Sequence, residues 1–315
     1  MNTTTTPQHK LVYFGSSSLS AQVLTYLLDQ EKSSFEIAAV VTQPARPYAH
    51  THQADTPVAG LAQKRGLRLI RPAKARDALD EIRSLQSDVG LLFAYGQILP
   101  PELIELFPHG IVNIHPSLLP RHRGPSPIEA TILSGDTQAG TSIMLIDEQM
   151  DAGPILEQSS FPISDTISKE DLTQKLMQAS ERLLLPTLTA YLTGDLKPRP
   201  QEDNSATYCK LIRKDDGKVD LTIVSADWLL RAIRAYSDWP GVTVELPERE
   251  DRLRIISAIQ TDTVGAEPGV YRDGKRLIIA TRDGAIEATR VQLPGKSVLE
   301  ARDAVNGLRL SPLVG

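Results

Sequence analysis

Short apolar, β-branched runs alternate with amphipathic stretches through the first part of the chain. Residues 10–14 (Lys-Leu-Val-Tyr-Phe) predict a buried strand that Gly15 breaks. Further strands are expected at 36–41, 89–93, 111–115 and 141–146, with helices over 19–28, 57–65 and 127–133. Strands alternating with helices predict an α/β fold, a Rossmann-like, mostly parallel sheet with helices on both faces. Ligands of such sheets sit outside the carboxyl ends of the strands, where Asn113 and His115 fall.

The pattern then lengthens. Ser168 opens a long helix, answered by Asp171 three residues on, with Leu172, Leu176, Ala179 and Leu183 as one apolar stripe. Pro186 is expected to kink or restart it, because proline removes a backbone donor. Residues 194–206 are polar and carry Pro198 and Pro200, which predicts a semi-extended linker. One helix, 225–236, follows, with Trp228, Leu229, Ala232 and Tyr236 on one face. After it come short strands punctuated by Asp273-Gly274 and Asp283-Gly284, both hairpin signals. A small OB-like β-barrel is the closed form such strands favour. The expected organisation is a flexible tail over 1–9, a catalytic domain over 10–193, a linker over 194–206 and a barrel domain over 207–315. Trp228 and Trp239 are expected as core anchors.

Composition narrows the choice of chemistry. A hydrophobic share of 41% and a charged share of 23% are ordinary for a globular protein. The single cysteine, Cys209, excludes a disulfide scaffold and a cysteine-based metal site, and fits a reducing, cytoplasmic setting. The polar start predicts a frayed tail rather than a signal peptide, and no apolar run approaches a membrane span. The net charge of -5 does not advertise a nucleic-acid binder. Its distribution is uneven: residues 207–315 carry 17 Lys and Arg against 16 Asp and Glu, the remainder 17 against 23. That leaves the C-terminal part free to meet a phosphate-bearing partner.

Phe14-Gly15-Ser16-Ser17-Ser18 offers one glycine where a dinucleotide fingerprint requires three, and no phosphate-binding P-loop occurs. The informative group is Asn113, His115 and Asp151. Taken singly, each has a bland reading: a strand-end amide, a satisfied core histidine, a loop carboxylate. Together they suit attack by an amine on a carbonyl. An amide and a protonated imidazole hold the developing oxyanion, and a carboxylate raises the imidazole pKa and takes a proton.

The surrounding residues turn the balance. Asn-Ile-His is followed by Ser117-Leu118-Leu119-Pro120 and Arg121-His122-Arg123-Gly124, and the Met150-Asp151-Ala152-Gly153 loop comes after. In this order they resemble the folate-dependent formyltransferase superfamily. Phe93-Ala94-Tyr95-Gly96-Gln97-Ile98-Leu99-Pro100 is similar to that family's pterin-pocket strand. Gln43-Pro44-Ala45-Arg46-Pro47, Thr207-Tyr208-Cys209-Lys210-Leu211 and Gln292-Leu293-Pro294-Gly295-Lys296 resemble the branch that acts on a charged tRNA.

The resemblance implies a donor, 10-formyltetrahydrofolate, an acceptor, initiator methionyl-tRNA, and a monomer without metal. Asn113, His115 and Asp151 would be catalytic. Gln97, Ile98 and Leu99, the turn Ser117, Leu118, Leu119 and Pro120, and the loop Asp147, Glu148, Gln149 and Met150 would receive the folate. Arg46, Arg213, Lys214 and Arg234 would meet the tRNA. One departure stands out: residues 48–55 (Tyr-Ala-His-Thr-His-Gln-Ala-Asp) lack the basic cluster of that branch. That departure leaves open a small acceptor such as a nucleotide-linked amino sugar. A catalytically silent RNA-binding module is the reading from another class.

Overall fold

The computed structural model describes residues 9–30, 35–48, 51–246, 251–263, 266–308 and 310–313, with 46–48 and 51–54 as backbone only. The expected tail lies outside the described residues except for His9. The chain divides into two compact units, residues 1–124, 139–161 and 174–208, and residues 125–138, 162–173 and 209–315.

In chain order the elements begin β1 (His9–Gly15), α1 (Ser18–Leu28), β2 (Phe35–Val41) and the hairpin strands β3 (Arg46–Tyr48) and β4 (Thr51–Ala54). Next come α2 (Pro57–Lys64), β5 (Leu69–Ile70), α3 (Leu79–Leu85), β6 (Val89–Phe93), α4 (Pro101–Ile104) and β7 (Ile111–His115). Then follow α5 (Pro127–Leu133), which belongs to the second unit, β8 (Gln138–Leu145), β9 (Ile155–Pro162) and α6 (Lys169–Leu192). The seven-stranded sheet runs β5-β2-β1-β6-β7-β8-β9. The pairings from β5 through β7 are parallel, and β8 is antiparallel to β7.

Alternation along the strands supplies two cores. Leu11 and Tyr13 of β1 join α1, α2 and α6 on one face, while Val12 and Phe14 join α3, α4 and Phe107 on the other. The sequence-predicted doubly covered sheet is therefore present. Helix starts are capped as the sequence permits: Ser17 accepts from the Ser20 amide, and Thr56, just before Pro57, from Ala59. Pro186 does not break α6, which runs on to Leu192. Leu184, Leu188 and Leu192 are buried on the core side, and this packing outweighs one lost backbone hydrogen bond.

The second unit holds α7 (Ala226–Ala235), capped by Ser225, then β10 (Val242–Glu245), β11 (Arg252–Gln260), β12 (Gly269–Asp273), β13 (Arg276–Ala280), β14 (Ala285–Gln292), β15 (Val298–Glu300) and α8 (Ala301–Ala304). The strands pair antiparallel in the order β10-β11-β14-β13-β12, with β15 on β14, as a half-barrel. Lys218 pairs with Thr243 beside β10, and Pro312 with Arg272 beside β12, so both ends of the strand path are covered. α7 buries Leu229, Ala232 and Ile233 and packs on β11 and α5. The tryptophans depart from expectation: Trp239 is 51% exposed and Trp228 only half-buried. Trp239 follows the C-terminal end of α7, beyond the buried stripe.

Candidate active site

β7 sets the geometry. Asn113 and His115 lie two residues apart on one strand, so they face the same side of the sheet as Ile111. Both are buried, at 7% and 4% exposure, at the carboxyl end of a parallel strand. Among the described residues nothing hydrogen-bonds the Asn113 side-chain amide, which leaves its N–H groups able to donate to a ligand.

Asp151 reaches this pair from the loop between β8 and β9. Its Oδ2 stands 3.7 Å from His115 Nδ1 and accepts from the Gly124 amide at 2.8 Å. Asp151 adopts a left-handed backbone, φ 52°. The turn closes only because residue 153 is glycine, since a Cβ there would collide with the Leu145 carbonyl oxygen. His122 (φ 60°) and Ala94 (φ 48°) share that rare conformation, and three of the four such non-glycine residues described flank this region. Strained backbone of this kind clusters at functional sites.

The turn after β7 is pinned from two strands. Ser117 Oγ donates to the Arg121 carbonyl at 2.6 Å, and Ser142 Oγ of β8 donates to the Ser117 carbonyl at 2.7 Å. Ser142 also accepts from the Leu119 amide, and Gln158 of β9 donates to both the Leu119 carbonyl and Ser142 Oγ. Leu119 packs with Met144 and Ile155 in a small core of its own. The turn contributes shape: Ser117 and Leu119 are committed to the protein interior.

Asp151 acts on His115 in the expected direction, but burial acts against it. Nε2 lies 3.0 Å from the His122 carbonyl oxygen, which can only accept, so Nε2 carries the hydrogen. Burial is the largest influence and pushes the imidazole pKa below its usual 6.5. Asp151 and the His122 carbonyl push the other way and do not overcome it. Burial thus favours the neutral ring, with Nδ1 3.7 Å from the Asp151 carboxylate.

Beside the strand ends the first unit holds a cleft of ≈ 780 Å³, lined by Gln43, Lys74, Arg76, Gly96, Gln97, Ile98, Leu99 and Glu148 among others. It thus brings together four of the expected folate residues, Gln97, Ile98, Leu99 and Glu148. Asp147, Gln149 and Met150 sit exposed on the Asp151 loop, and Ser117, Leu118, Leu119 and Pro120 form the turn. Arg213 and Lys214 are exposed in the second unit. Arg234 is engaged there: its guanidinium donates to the carbonyls of Asp165 and Leu230. The Arg46 side chain lies outside the described residues, as do the side chains of His50 and His52. Among the described residues no cluster of three or more His, Cys, Asp or Glu could hold a metal.

Sequence reasoning missed the supports. Arg123 is 1% exposed and donates to Gln201, Asp203 and the Tyr208 hydroxyl. Gln201 in turn donates to the carbonyls of Asp151 and Gly153. Nothing in Pro200-Gln201-Glu202 signals this, because the contact is set by the path of the chain. Ser142 and Gln158 are equally silent as isolated polar residues within strands.

Comparison with known proteins defines the class. Residues 9–188 match the formyl transferase domain, and residues 211–309 the formyl transferase C-terminal domain. The chain belongs to the formyl transferase family. It is 39% identical over 308 residues to the methionyl-tRNA formyltransferase of Roseiflexus castenholzii, covering 96% of this chain and 97% of that one. It is 35% identical over 310 residues to that of Streptococcus pneumoniae, covering 97% and 98%. Within the family its branch is therefore that of the methionyl-tRNA formyltransferases.

Solved structures share the fold at lower identity. The N-formyltransferase from Helicobacter canadensis, in complex with folinic acid and dTDP-3-aminofucose, matches with TM-score 0.67 and 19% identity over 89% of this chain and 98% of its own. HypX from Aquifex aeolicus, in complex with tetrahydrofolic acid, gives TM-score 0.63 and 18% identity over 98% of this chain and 49% of its own.

Proposed function

We propose that this chain moves the formyl group of 10-formyltetrahydrofolate onto the free amine of initiator methionyl-tRNA. The approach of His115 to Asp151 at 3.7 Å, two residues along the strand from the unpartnered Asn113 amide, carries the reading. The relatives named above, similar over nearly the whole chain, support the choice of acceptor. The cleft beside Gln97–Leu99 has the volume of a pocket for a drug-sized ligand, and folate is of that class. Gln97, Leu99 and Glu148 would hold it, and it supplies a formyl group bonded to nitrogen.

The chain's own residues then manage one proton and one charge. As the amine nitrogen bonds to the formyl carbon, His115 Nδ1 takes a proton from it, and Asp151 stabilises the imidazolium that forms. Asn113 donates to the formyl oxygen while negative charge gathers there. His115 then returns the proton to the departing folate nitrogen, so the ring ends neutral and the atoms balance. His115 Nε2 stays on the His122 carbonyl throughout, which leaves the oxyanion to Asn113. The second unit, with Arg213 and Lys214 exposed, meets tRNA phosphates, contacts that position rather than read sequence. The reading carries with it a cytoplasmic location and a monomer.

Incubation with charged initiator tRNA and formyl donor tests the reading, with N-formylmethionine released from the tRNA as the signal. Formylation of a nucleotide-linked amino sugar with none on the tRNA would overturn it.

A further inference from the structure

The segment over residues 199–208 touches both halves of the site. At one end Arg199 and Ile155 exchange backbone hydrogen bonds at 2.7 and 2.8 Å, which anchors the segment beside the Asp151 loop. Two residues on, Gln201 Nε2 donates to the Asp151 carbonyl at 2.8 Å and to the Gly153 carbonyl at 2.7 Å. At the other end the Thr207 hydroxyl accepts from the His122 amide at 2.9 Å, and the Thr207 carbonyl from the Arg123 amide at 2.9 Å. His122 carries the carbonyl that fixes His115 Nε2. Buried Arg123 closes the circuit: Nε donates to Gln201 Oε1 at 3.0 Å, and Nη2 to Asp203 at 2.8 Å. That bond orients the Gln201 amide so that its nitrogen, not its oxygen, meets the Asp151 loop.

We propose that residues 199–208 form a strap that sets the Asp151–His115 geometry, with Gln201 as a positioning residue and Arg123 as its anchor. Gln201 has no path to the substrate in this account and acts through Asp151. It satisfies two carbonyls of a loop whose residue 151 is held in a left-handed conformation. Without it the loop relaxes, Oδ2 leaves His115 Nδ1, and the imidazolium formed during transfer loses its counter-charge.

The proposal rests on the function given above only for its kinetic arm. Gln201→Met keeps the side-chain length and removes both donors. The titratable groups acting on His115 are Asp151 and His122. In an NMR titration of the His115 Cε1–H, which needs no substrate, Gln201→Met lowers the His115 pKa in the direction taken by Asp151→Asn. Added to Asp151→Asn, it produces no further drop. In formylation assays kcat falls roughly 10- to 100-fold, the cost of about 1 Å of misplacement, while KM for folate holds. The kcat losses of Gln201→Met and Asp151→Asn do not multiply in the double variant.

An unchanged His115 titration in Gln201→Met overturns the strap whether or not the enzyme formylates tRNA. Fully multiplicative losses overturn it too, since they would mark general loosening. The expected NMR response in Gln201→Met, with no formylation by the wild-type protein, sinks the function and leaves the strap standing.

Discussion

His115 gives its Nε2 hydrogen to the His122 carbonyl at 3.0 Å while its Nδ1 lies 3.7 Å from Asp151 Oδ2, so the two ring nitrogens have separate tasks. One nitrogen holds the ring in place, and in the proposed reaction the other moves the proton. A His115→Gln variant could keep the first bond and lose the second task. Turnover in that variant is expected near that of His115→Ala, and a rate near wild type would refute proton transfer at this ring.

The lowered imidazole pKa has a pH signature. Its folded-state pKa lies below the usual 6.5 because burial disfavours the charge. As pH falls, the unfolded chain therefore takes up this proton first. The stability contribution is intact above about 6.5 and declines through the interval down to the folded pKa. NMR titration of the free protein checks the sign: a His115 pKa above 6.5 would contradict it.

Asn113 offers the cleanest loss of function. With no partner among the described residues, its amide holds nothing else in place. Asn113→Ala should lower kcat by ~100- to 1000-fold, as for loss of one oxyanion donor, with little change in melting temperature. A rate within a few-fold of wild type would assign the oxyanion elsewhere.

Ser142→Ala should damage both stability and rate. Its hydroxyl is fully buried and joins the Ser117 carbonyl, the Leu119 amide and Gln158. Stranding such groups costs about 1–3 kcal/mol, read as a lower denaturation midpoint. An unchanged midpoint would show that the turn has other supports.

For the tRNA, salt separates the two substrates. KM for charged tRNA should rise steeply with ionic strength through counterion release, while KM for folate changes little. Arg213→Ala and Lys214→Ala should raise KM for tRNA and flatten that slope. Arg234→Ala should instead lower thermal stability, because its guanidinium serves the Asp165 and Leu230 carbonyls. A tRNA KM indifferent to salt would point to a small acceptor.

Much of the catalytic sheet was legible because alternation and chemistry coincide in β7. Val112 and Ile114 carry the core on one face, so Asn113 and His115 had to share the other. Asp151 was legible as a residue type, and its partner His115 too, but the sign of the imidazole's shift was not. That sign depends on burial, which only the packed strand reveals. Pro186 was read as a breaker on local grounds, and long-range packing of Leu184 and Leu188 overrode it. The prolines and polar residues of 194–206 suggested a semi-extended linker, and within it Arg199 and Gln201 are bonded into the first unit. No local pattern predicts which distant carbonyls such a stretch will meet.

The extent of the first unit bears on where this chain can be cut or recombined. A fragment ending at Thr193 would keep all seven strands and α6 yet lose Arg199, Gln201 and Thr207. It would present Asn113, His115 and Asp151 in sequence but not in register. Chimeras that exchange the C-terminal portion between relatives should therefore be joined after Tyr208, so that each catalytic sheet travels with its own strap.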